Sequence, residues 1–209
     1  MENCWTIKGS GDWIRMSMTK FKMPSKSNLK SRTSTINNAF AIGITPYLKP
    51  DDDLLKAYYD ELKIEPCQCG YCMRLGEGKT VDHINPLVIS GKPSGYITDI
   101  NNLIPCCKDC NSKKGGKYFG DWYKSPKNKK RLKSMGLTDQ IINERYDIIT
   151  AYINNHCSKP YDYKKIVGED KWNEYINRKN KMIALLEEDQ KFCDELNELI
   201  TQDVIKNRK

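Results

Sequence analysis

The sequence predicts an α+β fold: a small cysteine-rich module of short strands and one helix, embedded between N-terminal and C-terminal segments that are mainly helical. Two observations lead there. Between residues 66 and 117, Gly and Pro break the chain into short pieces bracketed by two Cys-x2-Cys pairs. On either side, apolar residues recur at helical spacing.

Taken in order, residues 1–35 are rich in Lys, Ser, Thr and Met, with Trp5 and Trp13 as isolated apolar anchors, and read as a basic arm with one short strand. Residues 36–44 suit a short helix. Pro50 and Asp51 to Asp53 open a second, since acids in a first turn complement the helix dipole. Leu54, Leu55, Tyr58, Tyr59 and Leu62 give it one apolar face. Short strands are expected around Thr80–Ile84 and Leu87–Ile89, a Gly/Pro/Ser loop at 91–95, and a helix from about Lys108. Lys124 to Lys133 reads as a basic linker. Thr138 is an N-cap for a helix carrying Ile141, Ile142, Tyr146, Ile149 and Ile153. A long helix runs from about Asp170 to Lys206, with Trp172, Ile176, Ile183, Leu186, Cys193 and Ile200 near a 3-4 spacing broken by Lys179, Gln190 and Asn197. A seam so interrupted packs on its own domain more often than it zips a coiled coil, with a homodimer or a partner protein as the alternative. The expected domains are a basic arm and short helix at 1–50, the cysteine-rich module with its preceding helix at 51–123, and a basic linker with a helical region at 124–209.

Composition excludes some classes. Hydrophobic residues make up 38% and charged residues 30%, and no run approaches the roughly 18 apolar residues of a membrane-spanning helix. Residues 1–10 lack the apolar core of a signal peptide. Nine cysteines without an export signal point to metal or free thiols, so a reducing, cytoplasmic setting with no membrane association is expected. The net charge of +8 is unevenly placed: residues 111–135 hold nine Lys and Arg against one Asp, and residues 1–50 hold eight against two. Such blocks attract a polyanion, though Lys-rich segments also serve as plain solvated surface.

Cys69-Gly-Tyr-Cys72 and Cys107-Lys-Asp-Cys110 can each present two thiolates to one tetrahedral ion, together a four-sulfur zinc shell. The 34 residues between them exceed the roughly 15–20 of a plain zinc ribbon, so something folded must lie inside the clip. Cys67 and Cys106 find no two-residue spacing on their own side and read as spares; Cys4, Cys157 and Cys193 read as small apolar residues. Inside lies Asp82-His83-Ile84-Asn85-Pro86, then Asn101-Asn102-Leu103; Asn111, Lys113 and Lys114 follow Cys110. Phosphodiester cleavage needs a base for water and a cation for the charge on phosphorus and the leaving oxygen. His83 can be the base, or could instead complete a second zinc site. Asp82 and Asn111 offer hard oxygens suited to Mg²⁺ or Mn²⁺. Asn111 and Lys114, three apart on one helix face, can reach the same phosphate.

Cys-x2-Cys, Asp-His-Ile-x-Pro, Asn-Leu and Cys-x2-Cys-Asn-x2-Lys, over residues 69–114, resemble the signature of the zinc-containing HNH endonucleases. The resemblance implies a ββα-metal module in which a hairpin and a helix grip one catalytic divalent ion. His83 would be the general base, Asp82 and Asn111 the holders of catalytic Mg²⁺ or Mn²⁺, and Asn102, with Asn101 as its rival, the asparagine that positions the histidine loop. Lys114 would contact phosphate, and the four cysteines would hold a structural Zn²⁺. The last signature residue is Asn rather than His, a variant the family also uses and one that favours Mg²⁺. Because adjacent strand residues face opposite ways, Asp82 and His83 share one site only if the strand is irregular there. The expected function is a DNA endonuclease acting on duplex, of a bacterial or phage restriction or defence type. The competing reading is a non-catalytic zinc module that binds nucleic acid or protein.

Overall fold

The computed structural model describes Trp5–Ile7, Trp13–Arg15 and residues 28–208. Helix and sheet are mixed, as expected, with helix dominant. Strands β1 (Trp5–Ile7) and β2 (Trp13–Arg15) pair antiparallel; the rest of the basic arm before residue 28 lies outside the described residues.

The first helix, α1 (Thr33–Gly43), starts three residues before the expected position and follows a 3-10 turn at Leu29–Arg32. Helix α2 (Asp52–Leu62) begins where the acids predicted it: the Asp51 carboxylate caps the Leu54 N–H at 2.8 Å. It stops at Lys63, which adopts the left-handed conformation with φ 50°. Its apolar face buries Tyr58 and Leu62.

The cysteine-rich segment departs from the expected pairing. Strand β3 (Thr80–His83) pairs antiparallel with β6 (Leu103–Cys106), which the sequence did not announce as a strand. Val88–Ile89 (β4) instead folds onto Lys92–Pro93 (β5) as a separate hairpin. The turn between them places both Ser90 and Gly91 at positive φ, the two-residue geometry that matches strand twist. Helix α3 (Lys108–Lys114) follows β6 directly, with the Cys107 sulfur as its N-cap acceptor.

Lys124 to Lys133 is not a linker. Residues Pro126–Ser134 form helix α5, after the short α4 (Phe119–Tyr123). Ser125 caps α5 and Pro126 occupies its first turn, where a missing N–H costs nothing. Leu132 and Asn128 bury one side of it, which leaves the lysines outward. Helix α6 (Asp139–His156) has Thr138 as its cap, as expected, and His156 meets Glu61 at the end of α2.

The core joins α2, the cysteine knuckles, β3, β6, α4 and α6 around Tyr71, Phe119, Trp122 and Tyr123. Arg145 on α6 is buried within it and donates to the carbonyls of Gly70 and Leu62. After α7 (Tyr163–Val167), helix α8 (Glu169–Lys206) packs its first half on α1 and on Leu29–Arg32, where Gln190 accepts the Leu29 N–H. The interrupted seam thus packs on its own protein as far as Gln190; from Lys191 to Ile200 every residue is exposed. Among the described residues no helix is long and apolar enough to cross a membrane.

Candidate active site and metal centre

The four cysteines of the two knuckles meet. The sulfurs of Cys69, Cys72, Cys107 and Cys110 lie within 4.8 Å of one another, and all four residues are buried. A tetrahedral zinc with sulfurs about 2.3 Å away would separate them by roughly 3.8 Å; Cys72 and Cys107 stand at 3.9 Å. The donor set therefore fits an ion such as zinc. Local geometry builds it: the Cys69 N–H donates to Arg74, the Met73 N–H returns to Cys69, and the Cys110 N–H donates to the Cys107 sulfur. Gly70 is obligatory here, because a Cβ would meet Ile104 Cγ1 at 2.5 Å while its N–H donates to Pro105. Cys67 and Cys106 stay outside the cluster, and burial pushes the Cys106 thiol up to about 12.

Two arginines complete the centre, and sequence reading missed both. Arg74 places Nε 3.4 Å from Cys72 and Nη2 3.3 Å from Cys107. Arg131, on α5, places Nη2 3.3 Å from Cys110 and pairs with Asp109. Four thiolates around a divalent ion keep a net negative charge, which these guanidinium groups offset. Neither arginine carried a spacing signal; Arg131 lies 21 residues beyond its cysteine.

Beside the metal centre, Asp82 and His83 line one cleft of ≈ 300 Å³ with Asn38, Leu87 and Gly115. Alternation along β3 turns Asp82 inward, and the chain bends directly after His83, so the last strand residue also reaches the cleft. The Asp82 carboxylate accepts from the Tyr71 hydroxyl at 2.8 Å and pairs with the Lys114 ammonium at 3.1 Å, both through Oδ2. Burial, followed by the Asp82 charge, raises Tyr71 well above the usual phenol range and keeps it a donor.

Lys114 departs from its expected role. Its side chain is fully buried, its ammonium held by Asp82 and by the His83 carbonyl at 2.6 Å. A cation so enclosed braces the site instead of facing a phosphate. Asn111, one turn earlier, is half-exposed and lies against β3, its amide 3.5 Å from Thr80 Oγ1 and from the Val81 carbonyl. It therefore sits beside the strand that carries Asp82.

His83 is held by a residue the sequence did not single out. Its Nε2 lies 2.9 Å from Thr98 Oγ1. Thr98 is fixed in turn by backbone bonds to Pro46 and Leu48 on the chain leaving α1. Desolvation lowers the imidazole below its ordinary pKa of 6.5, with Asp82 opposing and Lys114 assisting. Neutral imidazole is the form that accepts a proton.

Of the two asparagines, Asn102 is the buried one. Its side chain accepts the Asn85 N–H at 2.8 Å and donates to the carbonyls of Asn85 at 3.1 Å and Ile97 at 3.0 Å. It ties together the two loops that flank His83. Asn101 faces α6, where its Oδ1 lies 3.3 Å from the Tyr152 hydroxyl.

Comparison with known proteins agrees with this geometry. Residues 69–117 match the family model described as HNH endonuclease. "Protein ea31" of Escherichia phage lambda is 34% identical over 65 residues, which cover 31% of this chain and 21% of that protein. The chain thus spans about a fifth of the curated relative it matches. No solved structure matches. An HNH domain implies nucleic-acid binding and, broadly, nuclease activity. Over residues 69–117 the chain is therefore similar to the HNH endonucleases.

Proposed function

We propose that the protein is a metal-dependent DNA endonuclease in which His83 is the general base. The observation that carries this is the shared cleft: a half-buried imidazole, held through Nε2 and biased toward its neutral form, opens onto the same space as Asp82. If Nε2 carries the proton given to Thr98, Nδ1 is left with its lone pair to deprotonate a water. Asp82 and Asn111 would hold Mg²⁺ or Mn²⁺, because a carboxylate and an amide carbonyl are hard donors. Both contacts of Asp82 fall on Oδ2, which leaves Oδ1 for the ion. When bound, that ion would stabilise charge on the phosphorane and on the leaving oxygen. Asn102 positions the histidine loop, and Lys114 holds the Asp82 carboxylate oriented. The four-cysteine centre is a structural zinc site, distinct in donor chemistry from the oxygen site.

Antiparallel β3 and β6 followed by α3 support reading the centre as a ββα-metal module at the heart of residues 51–123. Cleavage by attack of water leaves 5′-phosphate and 3′-hydroxyl ends, as in the family it resembles. A restriction or phage-defence role is the biological setting we favour. Plasmid nicking with added Mg²⁺ or Mn²⁺, wild type against His83→Ala, tests the reading. The wild type should cut and the variant should not. Equal cutting by both removes His83 from the mechanism, and a wild type that binds duplex but never cuts it establishes a zinc-stabilised binding module instead.

A further inference from the structure

We propose that helix α5, together with the lysines at the end of α3, forms a second grip on the nucleic-acid backbone, continuous with the His83 cleft. The proposal rests on the nuclease reading above but extends it to α5, whose residues lie outside the 69–117 match.

Continuity is the first argument. The Gly115–Gly116 turn lines the cleft that holds His83. On either side of that turn, Lys113 and Lys117 line a neighbouring groove of ≈ 470 Å³, whose far wall is Trp122, Lys127 and Arg131. A strand leaving the cleft over the glycine turn therefore meets a wall of α5 next.

Charge is the second. Residues 108–133 hold ten Lys and Arg against Asp109 and Asp121, and Asp109 is taken by Arg131. Lys113, Lys127 and Lys130 are exposed, and among the described residues no ion pair engages any of the three. Elsewhere some exposed cations are neutralised locally: Lys164 pairs with Glu169 and Arg178 with Glu174. Unpaired lysines on both sides of one groove, Lys113 and Lys127, repel each other, a cost that a bound phosphate chain removes.

Rigidity is the third. Buried Leu132 and Asn128 fix α5 against the core, and Arg131 ties it to the cysteine centre. Lys127 and Lys130, three apart, share one helix face. The helix that carries these cations is held in place before the ligand arrives, which lowers the ordering cost of binding. A disordered linker of the same composition would lack that advantage.

The test is salt-dependent binding of a fluorescein-labelled 24-base-pair DNA duplex by the full-length zinc-loaded protein, without Mg²⁺ so that the duplex stays intact. The triple variant Lys113→Gln, Lys127→Gln, Lys130→Gln is compared with Lys181→Gln, Lys191→Gln, Lys206→Gln, which removes the same charge from α8. Each phosphate contact contributes a slope of about 0.9 in log affinity against log salt, so the first variant should lose two to three units of slope and on the order of 100-fold in affinity at 0.1 M salt. Its melting temperature should stay at the wild-type value, and the α8 variant should bind as the wild type does. Equal losses in both variants would reduce the effect to net charge and overturn the grip. Wild-type slope in the α5 variant would overturn it while leaving the nuclease reading intact. If the wild type binds neither duplex DNA nor a matching RNA duplex, both fall. Tighter RNA binding with the same slope change supports the surface and moves the substrate to RNA.

Discussion

Asn102→Ala removes one side chain and strands three backbone groups. The amide accepts from Asn85 N and donates to the carbonyls of Asn85 and Ile97, in a residue only 3% exposed. A buried hydrogen bond contributes about 1 kcal/mol net, and an orphaned partner adds its desolvation, so the three together come to about 3 kcal/mol. With an m-value of about 2–3 kcal/mol/M for urea, the unfolding midpoint should fall by roughly 1 M at unchanged m. Asn102→Asp is the sharper variant. It keeps an acceptor for Asn85 N but sets an oxygen against two carbonyls, so at pH 7 it should be at least as unstable as the alanine variant. Protonation restores a donor, so the carboxyl is raised in the folded state and stability should return as the pH falls. Cleavage should drop in both variants, because the Ile84 N–H that follows His83 also bonds the Asn102 carbonyl. Midpoints within 0.2 M of the wild type would show that Asn102 does not brace the histidine loop, and the positioning role would be abandoned.

Three further outcomes are expected. Cys110→Ser, or stripping of the thiolate-bound ion with a chelator, should abolish the cooperative melt, because a structural zinc site contributes on the order of 10 kcal/mol to folding; a normal melt with full zinc content counts against the cluster. Lys114→Met leaves Asp82 buried beside Tyr71 alone and should cost about 3–5 kcal/mol, with the salt dependence of DNA binding unchanged; a stable variant whose salt slope falls by about 1 would make Lys114 a phosphate contact after all. For pH, His83 must be unprotonated to act, and burial lowers its pKa, so kcat/KM should rise from acid and level off with its acid limb below 6.5. An acid limb above 6.5 that survives in Asp82→Asn would assign the titration to another group.

Local signals made parts of this fold legible. Asp51 and Thr138 are side-chain caps that work within three residues, and both helices start where those residues stand. The motif put Asp82, His83 and Asn102 within one clip, and the structure brings Asp82 and His83 to one cleft with Asn102 bracing the loops beside it. Strand β6 was hidden because Pro105 interrupts its pattern; a proline is tolerated there because the sheet has only two strands and Pro105 can face its open side. Helix α5 was hidden by composition. Its signals, Ser125 and Pro126, were in plain sight, but lysine density outweighed them. Tyr71, Thr98 and Arg131 could not be found from spacing at all, because each acts on a partner brought close only by the tertiary fold, and Arg74, though two residues from Cys72, reaches Cys107 only through it.

Tyr71 explains why the two centres cannot be separated. It stands between Cys69 and Cys72, so the metal knuckle fixes its backbone, while Tyr123 donates to its carbonyl and Phe119 and Trp122 pack on its ring. From that anchored position its hydroxyl reaches Asp82, the same carboxylate that Lys114 holds from α3. Helix α3 is itself anchored by Cys107 and Cys110. Both arms that orient the carboxylate therefore begin at the thiolate cluster and converge on one oxygen. An ion leaving the cluster would release both arms at once, whereas an ion leaving the cleft would release neither. The clip of four sulfurs is thus the frame from which the candidate site is aligned, and its place on both sides of the Asp-His pair follows from that geometry.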